Sequence, residues 1–195
     1  MEIISQSISD VRTIRPSYFH DHRGYFVESY NKKKFAECGI NIEFVQDNLS
    51  FTAKNGTVKG LHFQARPFEQ WKLISVVAGS VFDVAVDIRK GSPTYGKYVG
   101  SVLDSENGNQ TLVPAGFAHG FVALEDATWV SYKVSNYYSP DHEKGIHWAD
   151  PDIAIDWPGT GGGESLSDKD SQLPKFSDLP DYFTFSDGKS YTKKR

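Results

Sequence analysis

The sequence predicts an all-β domain, a barrel or sandwich of many short strands with a few short helices. Three observations carry this. Short runs rich in Val, Ile, Phe and Tyr recur between clusters of Gly, Pro, Asn and Asp. Several alternate with a period of two, as in Val81, Asp83, Ala85 and Asp87 against Phe82, Val84, Val86 and Ile88, the pattern of half-buried strands. Helical signals, by contrast, are few.

Taken in order, Gly24 to Tyr30 is a first aromatic-rich strand segment. Asn31 to Cys38 reads as a short helix, with Asn31 as its cap and Gly39 just beyond its end. Strands then follow at Leu73 to Val77, Val81 to Ile88, Tyr98 to Leu103, Gln110 to Val113, Gly120 to Ala123 and Thr128 to Val134. Turns punctuate them at Ala78-Gly79-Ser80, Lys90-Gly91-Ser92-Pro93, Glu106-Asn107-Gly108-Asn109 and Pro114-Ala115-Gly116. A second short helical piece is expected near Asp150 to Ile153, and a loop from Gly159 to Gly163. Ser186 to Arg195 reads as a polar tail. No repeat or internal linker is evident, so residues 1–185 are expected to form one domain and 186–195 a C-terminal tail.

Bulk properties narrow the function. A chain of 195 residues can bury a full core. The formal net charge of −4 argues against a general nucleic-acid binder, which usually displays a dense basic face, but leaves room for an anionic small molecule in a locally basic pocket. A lone cysteine, Cys38, rules out an intramolecular disulfide and a cysteine zinc cluster, and is expected to be a small apolar filler. The N-terminus lacks a signal-peptide pattern, and no stretch approaches the ~18 apolar residues of a membrane span. A cytoplasmic location with no membrane partner is expected.

Two clusters carry the chemistry. The first runs Gly60-Leu61-His62-Phe63-Gln64, then Pro67, then Gln70-Trp71-Lys72. On a strand His62 and Gln64 share one face, so both can point into a barrel. The second is Pro114-Ala115-Gly116-Phe117-Ala118-His119-Gly120-Phe121, where a Pro-Gly turn feeds a strand that starts with a histidine. The pair resembles the two halves of the cupin jelly-roll barrel. Metal-binding cupins supply two histidines and a carboxylate from the first half and one histidine from the second. Here Gln64 stands at the second histidine position, and Glu69-Gln70 occupy the acidic one. Two histidines and neutral amides make a poor transition-metal site, so a barrel with no metal and no cofactor is expected.

Further segments sharpen the resemblance. They are Phe19 to Glu28, Phe44 to Ser50, Gly60 to Gln64, Asp83 to Gly96, Pro114 to Phe121, Tyr132-Lys133 and Leu166 to Asp170. Each is weak alone; in this order, over roughly residues 10 to 180, the chain resembles the dTDP-4-dehydrorhamnose 3,5-epimerase family. The resemblance implies removal of a proton beside a C4 ketone and its return from the opposite face, which needs a base, an enolate stabiliser and an acid.

Every role that follows is what the resemblance implies. His62 is the base, a role its near-neutral intrinsic pKa suits, and Asp170 is the carboxylate that orients it. Tyr132 is the acid, and Lys72 donates to the C4 oxygen. Arg23, Lys59, His119 and Lys169 meet phosphates or the sugar. Glu28, Gln46, Asn48 and Glu143 hydrogen-bond the base and ribose, while Phe26 and Tyr138 offer aromatic surface to the thymine. The N-terminal strands cross to a neighbouring subunit, so a homodimer is implied and Arg23, Phe26 and Glu28 serve the partner's pocket.

Plainer readings stand beside these. His62 alone could be a hydrogen-bonded core histidine, and Tyr132 an inward core tyrosine. Asp170 by spacing is an acidic residue in a solvated loop, Lys72 a solvated lysine, and Arg23 before Gly24 a surface turn. His20, His22, His142 and His147 read as surface residues, and Lys32-Lys33-Lys34 as a solvated helix face. The family usually has arginine before Gly-Leu-His; here it is Lys59, which keeps the charge but loses the two-pronged grip on phosphate.

The leading expectation is 3,5-epimerisation of dTDP-4-dehydro-6-deoxy-D-glucose to dTDP-4-dehydro-L-rhamnose. The alternatives are a C3-only epimerase, an epimerase of another nucleotide-linked 4-keto sugar, a metal-dependent cupin and a non-catalytic sugar-binding module.

Overall fold

The computed structural model describes residues 1–159 and 165–185. The tail expected from Ser186, and most of the loop expected at 159–163, lie outside the described residues. The chain opens with β1 (Glu2–Ser5) and β2 (Arg12–Arg15), then a separate hairpin of β3 (Tyr18–Asp21) and β4 (Gly24–Val27), and helix α1 (Lys32–Glu37). Next come β5 (Gln46–Thr52), β6 (Val58–Gln64), β7 (Lys72–Ala78), β8 (Ser80–Asp87), β9 (Arg89–Lys90) and β10 (Tyr98–Asp104). They are followed by β11 (Gln110–Val113), β12 (Phe117–Ala123) and β13 (Thr128–Val134). The C-terminal part adds β14 (Glu143–Gly145), the single-turn helix α2 (Asp168–Ser171) and β15 (Phe183–Thr184).

Among the described residues two large antiparallel sheets dominate, with strand orders β1-β2-β11-β7-β13-β5 and β10-β8-β12-β6-β14. Each interleaves strands from distant parts of the chain, as expected of a jelly roll. The sheets pack face to face. Ile74, Val76, Val113 and Val130 of the first meet Val81, Ala85, Phe117 and Phe121 of the second in one core, with Tyr132 packed against it.

The expected half-burial of the strands holds only in part. β8, β11 and β12 are covered on both faces. The reason is a second layer: on the outer face of the second sheet, Leu61, Phe63, Val84, Val86, Ala118 and Val122 pack against Ile146, Ile153, Trp157 and Phe183 of the C-terminal segment. Each large apolar side chain so covered contributes roughly 1.5–3 kcal/mol, which makes that wrap a substantial part of the fold. Outside the first sheet, Phe35 of α1 and Ile40 cover Ile14, Leu73 and Leu112.

Local chemistry explains where elements stop. Asn31 caps α1 by accepting from the Lys34 amide, while Lys32, Lys33 and Lys34 face solvent as their charge dictates. Cys38 follows at the helix end and is exposed, so it is not the apolar filler the sequence suggested. Asp150 to Ile153 is a turn and not a helix. The Asp150 carboxylate accepts from the Asp152, Ile153 and Phe176 amides, and Ala154, at φ 50°, ends the turn at once. No helix among the described residues is long and apolar enough to cross a membrane.

Candidate active site

The site is built on β6, whose sequence Val58-Lys59-Gly60-Leu61-His62-Phe63-Gln64 breaks regular alternation. Opposite β12 its register slips between His119 and Phe121: His62 faces His119, yet Lys59 faces Phe121. Phe121 belongs to the inter-sheet core, so the extra residue turns Lys59 and His62, three apart, to the same inward face. Only glycine fits at the slip. Gly60 has φ +106°, and a Cβ there would lie 2.7 Å from the His119 carbonyl oxygen and 2.8 Å from the Gly120 Cα.

His62 is half-buried, and its Nε2 lies 2.7 Å from Asp170 Oδ1. The other Asp170 oxygen accepts the Gly60 amide at 3.2 Å, and Ser167 caps α2 by accepting from the Asp170 amide at 3.1 Å. Asp170 is thus fixed by the C-terminal segment and by the strand it serves. It is 4% exposed, far from the solvated loop that spacing alone suggested. Burial would raise its pKa, but the His62 contact, the Gly60 amide and Ser167 overcome that and hold the carboxyl below the ordinary aspartate value.

Across the interior, Lys72 at the start of β7 reaches over to donate to the His62 carbonyl at 3.2 Å. Burial drives its ammonium down to about 8, against the pull of Glu143 and Asp83. Tyr132 on β13 faces the same interior; burial first, and then the charge of Glu143, push its hydroxyl above the ordinary tyrosine value. Glu143 on β14 is the hub at the rim. Its Oε2 accepts from Lys169 at 2.5 Å and from the Tyr138 hydroxyl at 2.6 Å. Burial opposes ionisation there, and those partners together with His62 more than offset it, so Glu143 is held below its usual pKa.

Lys59 donates to Ser50 Oγ at 2.7 Å and to the Phe51 carbonyl at 3.0 Å, joining β6 to β5 of the facing sheet. Burial lowers its pKa and the charge of Asp170 resists the shift. Gln46 donates to Asn48 Oδ1 at 2.9 Å and accepts the Tyr138 amide at 3.0 Å, so those two amides line the same rim.

Gln64, at the cupin ligand position, is wholly occupied by backbone. It donates to the carbonyls of Phe68 and Tyr137 and accepts the Ser139 amide, stapling two loops at the mouth of the barrel. Among the described residues no three His, Cys, Asp or Glu side chains gather as a metal site.

His119 points inward but is 7% exposed, with Nε2 2.6 Å from Asp83 Oδ1, a more enclosed position than a phosphate contact suggests. Sequence reasoning passed over Asp83. The signal was a carboxylate on the inward face of an alternating strand, between Val81 and Ala85, beside the strand that carries a histidine.

Arg23, Phe26 and Glu28 are not brought to this cluster. Phe26 is 68% exposed on the β3–β4 hairpin, Arg23 is paired to Asp21 on the same hairpin, and Glu28 meets Asn31 and Lys34.

Residues 5–178 match the family described as dTDP-4-dehydrorhamnose 3,5-epimerase. A relative of that name from Sinorhizobium fredii is 50% identical over 181 residues, covering 93% of this chain and 92% of its own. The structure of a dTDP-6-deoxy-D-glucose-3,5-epimerase from Legionella pneumophila, in complex with dTDP-4-keto-L-rhamnose, superposes with a TM-score of 0.90 at 43% identity, covering 95% of this chain and 98% of that one. A dTDP-4-dehydrorhamnose 3,5-epimerase from Bacillus anthracis, with TDP and pyrophosphate bound, gives 0.86 at 48% identity over 89% of this chain and 98% of that one. Agreement in sequence and in shape over nearly the whole length leaves one conclusion: this chain is an isomerase and belongs to the dTDP-4-dehydrorhamnose 3,5-epimerase family.

Proposed function

We propose that the protein converts dTDP-4-dehydro-6-deoxy-D-glucose to dTDP-4-dehydro-L-rhamnose by epimerising C3 and C5, with no cofactor. The observation that carries the reading is the His62–Asp170 pair, at 2.7 Å, looking across the barrel toward Tyr132 and Lys72. His62 takes the proton from the carbon beside the ketone. Asp170 holds the imidazole ring and favours the imidazolium that forms. Lys72 meets the oxygen that gains charge as the enolate develops. Tyr132, on the opposite sheet and with a raised pKa, keeps its proton until the enolate demands it and delivers it to the other face. The ketone acidifies both neighbouring carbons, so one constellation serves C3 and C5 in turn.

Lys59, His119 and Lys169 are assigned to the diphosphate and sugar, with Gln46, Asn48, Glu143 and Tyr138 toward the nucleoside. The exposed hairpin bearing Arg23, Phe26 and Glu28 is assigned to the pocket of a second copy, which makes the active form a homodimer with exchanged N-terminal strands. Residues 1–185 act as one catalytic domain, and the enzyme works in the cytoplasm. Nothing in this reading calls for nucleic acid or a membrane.

The test is incubation with dTDP-4-dehydro-6-deoxy-D-glucose in deuterated water plus a chelator, with NMR of both ring protons. Exchange at C3 and C5 that disappears in His62→Ala is the expected result. Exchange at C3 alone would make the enzyme a C3 epimerase, and exchange at neither would overturn the substrate assignment.

A further inference from the structure

Asp83 has no role in the reaction as assigned so far, yet it lies among the reacting groups. It projects inward from β8 between the core residues Val81 and Ala85 and is 2% exposed. Oδ1 meets the His119 ring at 2.6 Å, whereas Oδ2 is buried with no hydrogen-bond partner among the described residues. A buried carboxylate oxygen without a donor is costly, so such an atom points to a partner that arrives or moves. From the facing sheet comes Lys72, an ammonium with three donor protons that gives one to the His62 carbonyl. The ionisable groups around it are Glu143 on β14, His62 on β6, Tyr132 on β13 and the His119–Asp83 pair. Of these, Glu143 and Asp83 are the carboxylates whose charge supports the ammonium. Glu143 is already engaged by Lys169 and Tyr138. Asp83 is the one whose free oxygen is buried without a partner among the described residues.

We propose that Asp83 is a positioning residue for the epimerisation: one carboxylate oxygen fixes the His119 ring, and the other is the counter-charge that holds Lys72 as a cation inside the barrel. The inference rests on the proposed reaction, in which Lys72 faces the developing C4 oxyanion. Burial alone drives Lys72 toward a neutral amine, which would stabilise that oxyanion far less. A carboxylate deep in the barrel restores the charge without competing with the anionic end of the substrate at the rim.

The test reads Lys72 directly in full-length, substrate-free enzyme. With lysine labelled at the ε-carbon, the Lys72 resonance, assigned through Lys72→Arg, should titrate near pH 8 in the native protein. In Asp83→Asn, which keeps the shape and removes the charge, it should titrate about one pH unit lower. In the exchange assay the basic limb of kcat/KM should move by the same amount. In Lys72→Arg, whose guanidinium stays charged, Asp83→Asn should leave the shape of that profile unchanged. An unmoved Lys72 titration with a uniform loss of rate would overturn the proposal and reduce Asp83 to a support for His119. Should Asp83→Asn not fold, the Asp83 carboxylate carbon of the native protein must show an inflection as Lys72 titrates; a flat trace there also rejects the idea. If the native enzyme exchanges neither ring proton, the reaction assignment fails, and the titration still decides whether Asp83 governs Lys72.

Discussion

The barrel interior and the β3–β4 hairpin carry residues assigned to one substrate, but they are in opposite physical conditions. Inside, His62, Asp170, Lys72 and Tyr132 are held by named partners on elements from both sheets and from the C-terminal segment. On the hairpin, Phe19, Tyr25 and Phe26 are 62%, 56% and 68% exposed, and Arg23 pairs with Asp21 of the same hairpin. The contrast teaches that the groups assigned to proton transfer are organised within one chain, while those assigned to a second copy's pocket stand apart from that cluster. Chemistry demands placement within a fraction of an ångström, whereas nucleotide recognition tolerates assembly from two bodies.

Substitutions can break that contrast, and the largest effects belong inside. His62→Ala should lower kcat for exchange at both carbons by roughly 10³–10⁴, with little change in dTDP affinity, because a general base is lost and a binding surface is not. NMR exchange and dTDP calorimetry check both halves of that statement. Tyr132→Phe should remove net epimerisation by roughly 10²–10³ while wash-out of the substrate proton persists, since the base survives and the acid does not. Retained epimerisation in that variant would move the acid elsewhere. Asp170→Asn should cost roughly 10² or more in kcat by leaving the imidazole without its orienting charge.

The hairpin should behave differently. Arg23→Ala and Phe26→Ala should raise KM about tenfold with kcat nearly unchanged, the signature of lost uniform binding. If dimerisation completes the pocket, KM should also rise on dilution below the dimer dissociation constant, as followed by analytical ultracentrifugation. A kcat effect as large as that of His62→Ala would erase the distinction between the two regions.

The smallest effect concerns stability and acid. Asp170 has a folded pKa below its unfolded value, so it binds fewer protons when folded through that interval. Its contribution is fully present above the unfolded aspartate pKa of about 3.9 and is lost as pH falls through the lower, folded value. Urea midpoints of the native protein and Asp170→Asn should therefore differ most near neutrality and converge only as pH falls below the ordinary aspartate range.

Most of the fold was legible in the sequence because alternation and turn residues are local signals. Val81 to Ile88 and Thr128 to Val134 announce themselves as strands without reference to anything distant. What the sequence could not display was the second apolar layer. Phe82, Val84 and Val86 look the same whether their face meets water or Trp157, and only tertiary packing decides. For a related reason a helix was expected at 150–153: the Asp150 side chain competes for the amides that a helix would need, and Ala154 reverses the backbone. The two histidine-bearing motifs around His62 and His119 were legible because each is a local run, while the roles given to their residues came by resemblance. Asp170 and Asp83 became legible only by resemblance or not at all, since each meets its histidine through chain reversal.

The His62–Asp170 contact spans 108 residues, and the Gly60–Asp170 contact spans 110. Synthesis runs from the N-terminus, so every strand through β13 leaves the ribosome before the carboxylate that meets His62 exists. Until that segment docks, the outer face of the second sheet lacks its apolar cover and His62 lacks its carboxylate partner. One docking event therefore both covers the second sheet and completes the His62–Asp170 pair, so loss of turnover and loss of the apolar wrap should coincide on unfolding.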